Sequence, residues 1–367
     1  MSNRLYIVAL LLPTLSGCGT AEFYWQGFIG QLDLFTRARP IAEVAESTPD
    51  PKLKERLRNA QAIRRYASRE LALPDNGSYT RYADLERPFV VWNVFAAPEF
   101  SLSPRQWCFP VAGCVNYRGY FAEVDARLEA ARIAADGDDV HVSGVPAYST
   151  LGYFDDPVLS TFVRYREPDL ARLIFHELAH QVVYVKDDTA FNESFAAAVE
   201  EEGVNRWLAA QRDRPDAARL AADAARGQRL RTDFRTLVRR TRERLAALYA
   251  SDATAADKRA GKAAAFAAMR ADYERLRAGW DGAPAFDRWF AAGANNAGIA
   301  AAGLYADRVL QFAALLAAEG GDLPQFYGRV KALAALRKAD RESALAAYAS
   351  AVPETSSHPL VLESENQ

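Results

Sequence analysis

Leu173-Ile174-Phe175-His176-Glu177-Leu178-Ala179-His180-Gln181 carries a His-Glu-x-x-His motif inside an apolar pattern of helical period. Glu167-Pro168-Asp169 just upstream suits the first turn of a helix, with proline inside the start and acidic groups near the positive end of the dipole. Residues four apart lie on one helical face, so both imidazoles can converge on one ion. Zinc takes imidazole nitrogen and tolerates a fourth position left open to water. Glu177, one residue past the first histidine, is then placed to take a proton from that water. The expected metal ligands are therefore His176 and His180, with Glu177 as the catalytic base and one Zn2+ as cofactor.

A catalytic zinc usually has a third protein ligand. Downstream runs Lys186-Asp187-Asp188-Thr189-Ala190-Phe191-Asn192-Glu193-Ser194-Phe195, in which Asp187 or Asp188 can cap a second helix. A short linker lets that helix fold back antiparallel to the first and carry Glu193 towards the histidines. Glu200 lies two turns further along the same face, as a rival ligand or a partner of one histidine. Glu193 is the expected third ligand. His141 and His358 lack comparable surroundings, and His141 reads as a strand histidine.

Upstream of Glu167 the texture is mixed. Ala21 to Glu46, interrupted near Pro40, reads as helix. A second helix follows Pro49-Asp50-Pro51, with Leu53, Leu57, Ala60 and Ile63 on one face. Pro88 to Phe95, Phe109 to Phe121 and Val140 to Val142 read as strands, and Phe121 to Ala135 as a helix. From Val158 onward the chain is helical and rich in Ala and Arg. Residues 211–280 hold 17 Lys+Arg against 9 Asp+Glu, which reads as solvated helical surface. The whole 367-residue chain carries 45 Lys+Arg against 47 Asp+Glu, for a net charge of −2, so no dedicated nucleic-acid binder is expected.

The N-terminus has Arg4, an apolar run from Leu5 to Leu12 too short for a bilayer of about 30 Å, and then small residues, the pattern of a secretory signal. Leu15-Ser16-Gly17-Cys18 resembles the lipobox of bacterial lipoproteins. That resemblance implies removal of residues 1–17, lipidation of Cys18 and membrane anchoring through the acyl chains, with Gly19 favouring the outer membrane facing the periplasm. In that oxidising compartment Cys108 and Cys114 are expected to pair as a disulfide.

His176-Glu177-Leu178-Ala179-His180-Gln181 followed by Asn192-Glu193-Ser194-Phe195-Ala196 is similar to the paired zinc motifs of the gluzincin aminopeptidases, where both histidines and the later glutamate hold zinc. Two features depart from that pattern: the interval of thirteen positions between His180 and Glu193 is shorter, and the GxMEN segment that binds a substrate's free amine has no counterpart. The mature chain as a whole, from WCFPVAGCVNYRGYF and AYSTLGYFDDPVLSTF through FHELAHQ and FNESFA to NNAGIAAAGLY, looks like the bacterial putative aminopeptidase family of zincin-like lipoproteins.

The resemblance implies an α+β, zincin-like metallopeptidase core with a small mixed sheet and an active-site helix, predominantly helical overall. The expected organisation is a signal over 1–17, N-terminal helices over 18–77, a catalytic core over 78–205 and a C-terminal helical region over 206–367. The expected activity is zinc-dependent peptide hydrolysis, with an aminopeptidase the first reading. A zinc hydrolase of cell-wall peptides and a non-enzymatic envelope-assembly or binding lipoprotein with a structural metal are the competing ones. Tyr153, Tyr148, His141 and Tyr305 are candidates for stabilising an oxyanion, with Tyr153 first. In zincins a strand before the motif helix pairs with extended substrate, and Val140 to Thr150 holds that place in the chain. Gly152, Asp155 and Asp156 would then lie beside the metal, the acids either receiving a substrate's amino group or capping the next helix.

Overall fold

A computed structural model describes residues 18–109, 113–303 and 308–350. The expected signal over residues 1–17, Tyr305 and His358 fall outside them, as does any description of the Cys18 side chain. The chain begins with α1 (Cys18–Arg37), a short β1 (Arg39–Pro40), α2 (Ile41–Ser47) and α3 (Pro51–Glu70). The break at Pro40 and the start at Pro51 lie where the sequence puts them, and Asp50 caps α3 by accepting from the Lys52 and Leu53 amides.

The middle of the chain holds the strands: β2 (Arg81–Ala83), β3 (Val91–Ala97), β4 (Trp107–Phe109), β5 (Gly113–Val115) and β6 (Arg118–Tyr120), then α4 (Glu123–Ala135), β7 (Asp139–Val145) and β8 (Val158–Leu159). Helices follow: α5 (Glu167–His180), α6 (Thr189–Ala210), α7 (Ala217–Ala250), α8 (Ala255–Gly279), α9 (Asp287–Ala291), α10 (Asn296–Gly303), α11 (Val309–Ala318), α12 (Leu323–Ala334) and α13 (Lys338–Ser350). The architecture is α+β and mostly helical, and no described helix is long and apolar enough to cross a membrane.

The strands form three small sheets, of which β1-β2-β8 is mixed. β3 lies between β6 and β7 and pairs antiparallel with both. The parallel pairing occurs elsewhere, between β2 and β8, with β1 antiparallel on the other side of β2. The bulky run from Phe109 to Phe121 is not one strand: β4 and β5 make a hairpin and β6 joins a different sheet.

Period-2 alternation explains how β3 is buried on both faces. Trp92, Val94 and Ala96 pack with Ala126 and Ile133 of α4, while Phe95 and Ala97 pack with Ala297 and Ala301 of α10. Asn93, on the α10 side, breaks the apolar run and faces the cavity described below.

One large core cluster runs from Leu34 to Leu345 and draws on α1–α3, β2, β8, α5, α6 and α11–α13. α5 contributes Leu170, Ala171, Ile174, Phe175, Leu178 and Ala179, the apolar face opposite the motif. α6 packs tightly on it at Gly203, where an added Cβ would come within 2.7 Å of the Phe175 ring and 2.9 Å of Leu71. A second, aromatic cluster holds α7, α8 and α9 together through Phe234, Tyr273, Trp280 and Phe290.

Candidate metal centre

The connection from α5 to α6 is held by two side chains of its own. The Asp188 carboxylate accepts from the Phe191 amide and so caps α6, one of the two caps expected. The same buried group pairs with Arg341 at 2.8 Å, tying the cap to α13. Asn192 clamps the linker, accepting from the Val185 amide and donating to the Val185 carbonyl, both at 2.8 Å. Contacts then run in opposite senses along the two helices: Glu193 faces His180 and His176, and Glu200 faces His176 and Arg172. The helices are antiparallel, and the pairing follows from the fold-back.

His176 Nε2 and His180 Nε2 lie 3.1 Å apart. Glu193 places Oε2 3.3 Å from His176 Nε2 and Oε1 3.8 Å from His180 Nε2. Among the described residues these three are the His/Cys/Asp/Glu group whose ligand atoms all fall within 4.8 Å of one another. Donors held at about 2.0–2.1 Å from a tetrahedral zinc would be about 3.3 Å apart, so the triangle fits such an ion. His176 Nδ1 donates to Glu200 Oε2 at 2.9 Å, and Nε2 faces the triangle. Two imidazole nitrogens so close, with a carboxylate beside them, make a donor set that an ion such as zinc accepts. His180 Nδ1 is buried and has no hydrogen-bond partner among the described residues.

The electrostatics are those of a buried, acidic cluster. Burial pushes the Glu177 carboxyl up to about 7, opposed by His176 and helped by the charges of Glu193, Asp156 and Glu200. Burial pushes His180 down to about 4. His176 is held well above its ordinary value because its bonds to Glu193 and Glu200 outweigh burial. Despite burial, Glu193 is held down by His180 and His176, and Glu200 by His176 and Arg172. Glu200 therefore bonds His176 and Arg172, while Glu193 faces both imidazoles.

A cavity of about 570 Å³ opens at the triangle, lined by His176, Glu177, His180 and Glu193 together with a largely apolar wall. That wall includes Phe23, Tyr24 and Phe28 of α1, which the sequence reading left out of the core region entirely. Tyr117 and Tyr184 also line it and were not anticipated, although Tyr117 lies in the aromatic run quoted above. Burial and the nearby Glu193 charge raise Tyr117, which puts its hydroxyl in electrostatic reach of Glu193 and Glu177.

The segment after β7 contributes Ala147, Tyr148, Ser149 and Leu151 to this wall, but not Gly152, Tyr153, Asp155 or Asp156. Tyr153 is 71% exposed. Gly152 has φ +80° and lies against Gln181, and the Asp155 carboxylate packs on Gly77. Asp156 is buried, its Oδ2 accepting from the Thr150 amide. The Tyr148 hydroxyl bonds Gln31 of α1. His141 is buried on β7 against Trp289 and Gly298 and lines neither this cavity nor the adjoining one.

Burial pushes Asp156 up to about 6 from an ordinary 3.8, so the folded state favours its protonated form. Its contribution to stability is present at low pH and is lost as pH rises through about 6. Asp156→Asn keeps an acceptor for Thr150 and removes the buried charge. Urea unfolding should show the variant about 1–3 kcal/mol more stable than wild type at pH 8, with the difference vanishing near pH 4.

Cys108 and Cys114 are joined by a disulfide across the β4–β5 hairpin, which lends Phe109 and Val115 to the cavity wall. Closing so short a loop restricts the unfolded chain by about 2 kcal/mol. Replacing both cysteines by serine should lower the urea midpoint by a corresponding amount, and dithiothreitol should then have no further effect on unfolding.

A family described as "putative aminopeptidase" matches residues 22–345, and the chain belongs to it. Neither the curated proteins nor the solved structures contain a match to the chain.

Proposed function

Within this aminopeptidase family, we propose that the chain is a zinc-dependent peptidase with a zincin-like core over about residues 78–205. One observation carries the reading: His176, His180 and Glu193 bring their ligand atoms within 4.8 Å of one another at the floor of a cavity that Glu177 also lines. His176, His180 and Glu193 would hold a single Zn2+, and Glu200 would orient His176. When bound, the ion supplies Lewis acidity that polarises a scissile carbonyl and activates water.

The residues of the chain do the rest. Glu177, buried with a carboxyl near neutrality, accepts a proton from the attacking water and returns it to the leaving amine. Tyr117 is the wall hydroxyl placed to meet negative charge developing on the carbonyl oxygen. Aromatic groups of α1 exclude water and receive apolar side chains of the peptide. β7 is an edge strand of its sheet among the described residues, the position from which a strand can pair with extended substrate, although its Val140 carbonyl already accepts from Asn295. Lipidation at Cys18 would anchor the enzyme to the outer membrane, facing the periplasm.

Metal analysis of the purified protein, with hydrolysis assays on free-N-terminal, N-blocked and muropeptide substrates, tests the reading. Stoichiometric zinc with faster cleavage of the unblocked peptides is the expected result. Absence of bound zinc after reconstitution would overturn it.

A further inference from the structure

A second cavity, of about 650 Å³, adjoins the first at the motif helix, and His176 and Glu177 line both. Its character is different. Arg164, Arg166, Arg172 and Arg231 converge on it from the loop before α5, from α5 itself and from α7. The Arg172 and Arg231 side chains are only 12% and 23% exposed, and the Nε of each is buried with no hydrogen-bond partner among the described residues.

Three carboxylates, Asp169, Glu177 and Glu200, line the same cavity, yet the Nε groups of Arg172 and Arg231 stay unbonded among the described residues. Arg172 gives one bond to Glu200, which also serves His176. Arg231 meets Asp169, itself part of the lining, at 3.2 Å and donates to Gln228 at 3.4 Å, and Arg166 meets Asp223 outside the cavity wall. Burial lowers Arg231, and the like charge of Arg172 lowers it further, so these two guanidiniums face one another's field. A guanidinium offers five donors in a planar fork suited to a carboxylate, and a buried cluster of them is stabilised by an incoming anion.

We propose that this arginine-lined cavity is an anion subsite that receives a carboxylate of the peptide substrate while the adjoining apolar cavity receives its hydrophobic part. This deepens the peptidase reading by naming a substrate class: peptides short enough for a terminal carboxylate to reach the arginines from a bond beside Glu177, or peptides with an acidic side chain at that position. Both sources present the same chemistry.

Calorimetric titration of the purified protein tests the subsite through binding rather than turnover. Three N-acetylated probes are compared and recovered intact by mass spectrometry: acetyl-Leu-Gly with a free carboxylate, its C-terminal amide, and acetyl-Leu-Glu-diamide's single-carboxylate analogue, acetyl-Leu-Glu-amide. The expected result is that a carboxylate probe binds at least ten-fold tighter than acetyl-Leu-Gly-amide, with the gap narrowing in Arg231→Gln. Preference for acetyl-Leu-Gly assigns the terminal carboxylate, and preference for acetyl-Leu-Glu-amide assigns the side chain. Arg164→Gln, at an exposed position, supplies a second reading should Arg231→Gln fail to fold. Equal affinity for all three probes, no binding of any, or a gap unchanged in every folded variant overturns the proposal. Failure of the peptidase reading is registered separately, as no hydrolysis of unblocked peptides, and leaves these affinities as they are.

Discussion

Glu177→Gln is expected to retain stoichiometric zinc and to lower kcat by about 10²–10⁴-fold with little change in KM. The glutamine is nearly the same size and still fills the wall shared by the two cavities, but it cannot take a proton. His176, His180 and Glu193 are untouched, so metal content separates loss of the base from loss of the site. Burial that pushes the Glu177 carboxyl to about 7 makes it a stronger base than an exposed glutamate, which is the property such a step needs. Should the variant bind zinc and hydrolyse peptides at the wild-type rate, Glu177 is not the base.

Glu193→Gln and Glu200→Gln are expected to part company in their metal affinity. Glu193 faces both Nε2 atoms, so Glu193→Gln removes a ligand and should leave no zinc after dialysis, with activity lost in parallel. Glu200 meets the far nitrogen of His176, so Glu200→Gln should keep the ion with about 10–100-fold weaker affinity. Zinc at 100 times its dissociation constant stabilises the native state by about 2.7 kcal/mol. Chelation should therefore lower the melting temperature of wild type and leave that of Glu193→Gln unchanged. Equal zinc loss in the two variants would contradict this division of roles.

The motif helix, its Glu167-Pro168-Asp169 start, a cap at Asp187 or Asp188 and the approach of Glu193 accord with local rules: helical period, capping chemistry and a linker short enough to allow a fold-back. The strands near Phe109 to Phe121 were read less well. A run of bulky residues has the same signal whether it forms one strand or three, and only the pairing partners tell them apart. A small mixed sheet is present as β1-β2-β8, while the sheet beside the site, β6-β3-β7, is antiparallel.

The chemistry of the candidate centre is inherent in the chain order, because two imidazoles one helical turn apart share a face in any helix, and the acid arrives on the adjoining one. The surroundings of that centre are not. Phe23 and Phe28 stand some 150 positions before the motif, and Arg231 stands some 50 after it, yet all three reach cavities that His176 lines. No periodicity links residues so far apart. Their meeting is decided by how α1 packs on β2 and β6 and α7 on α5, a property of the assembled surfaces and not of any one segment.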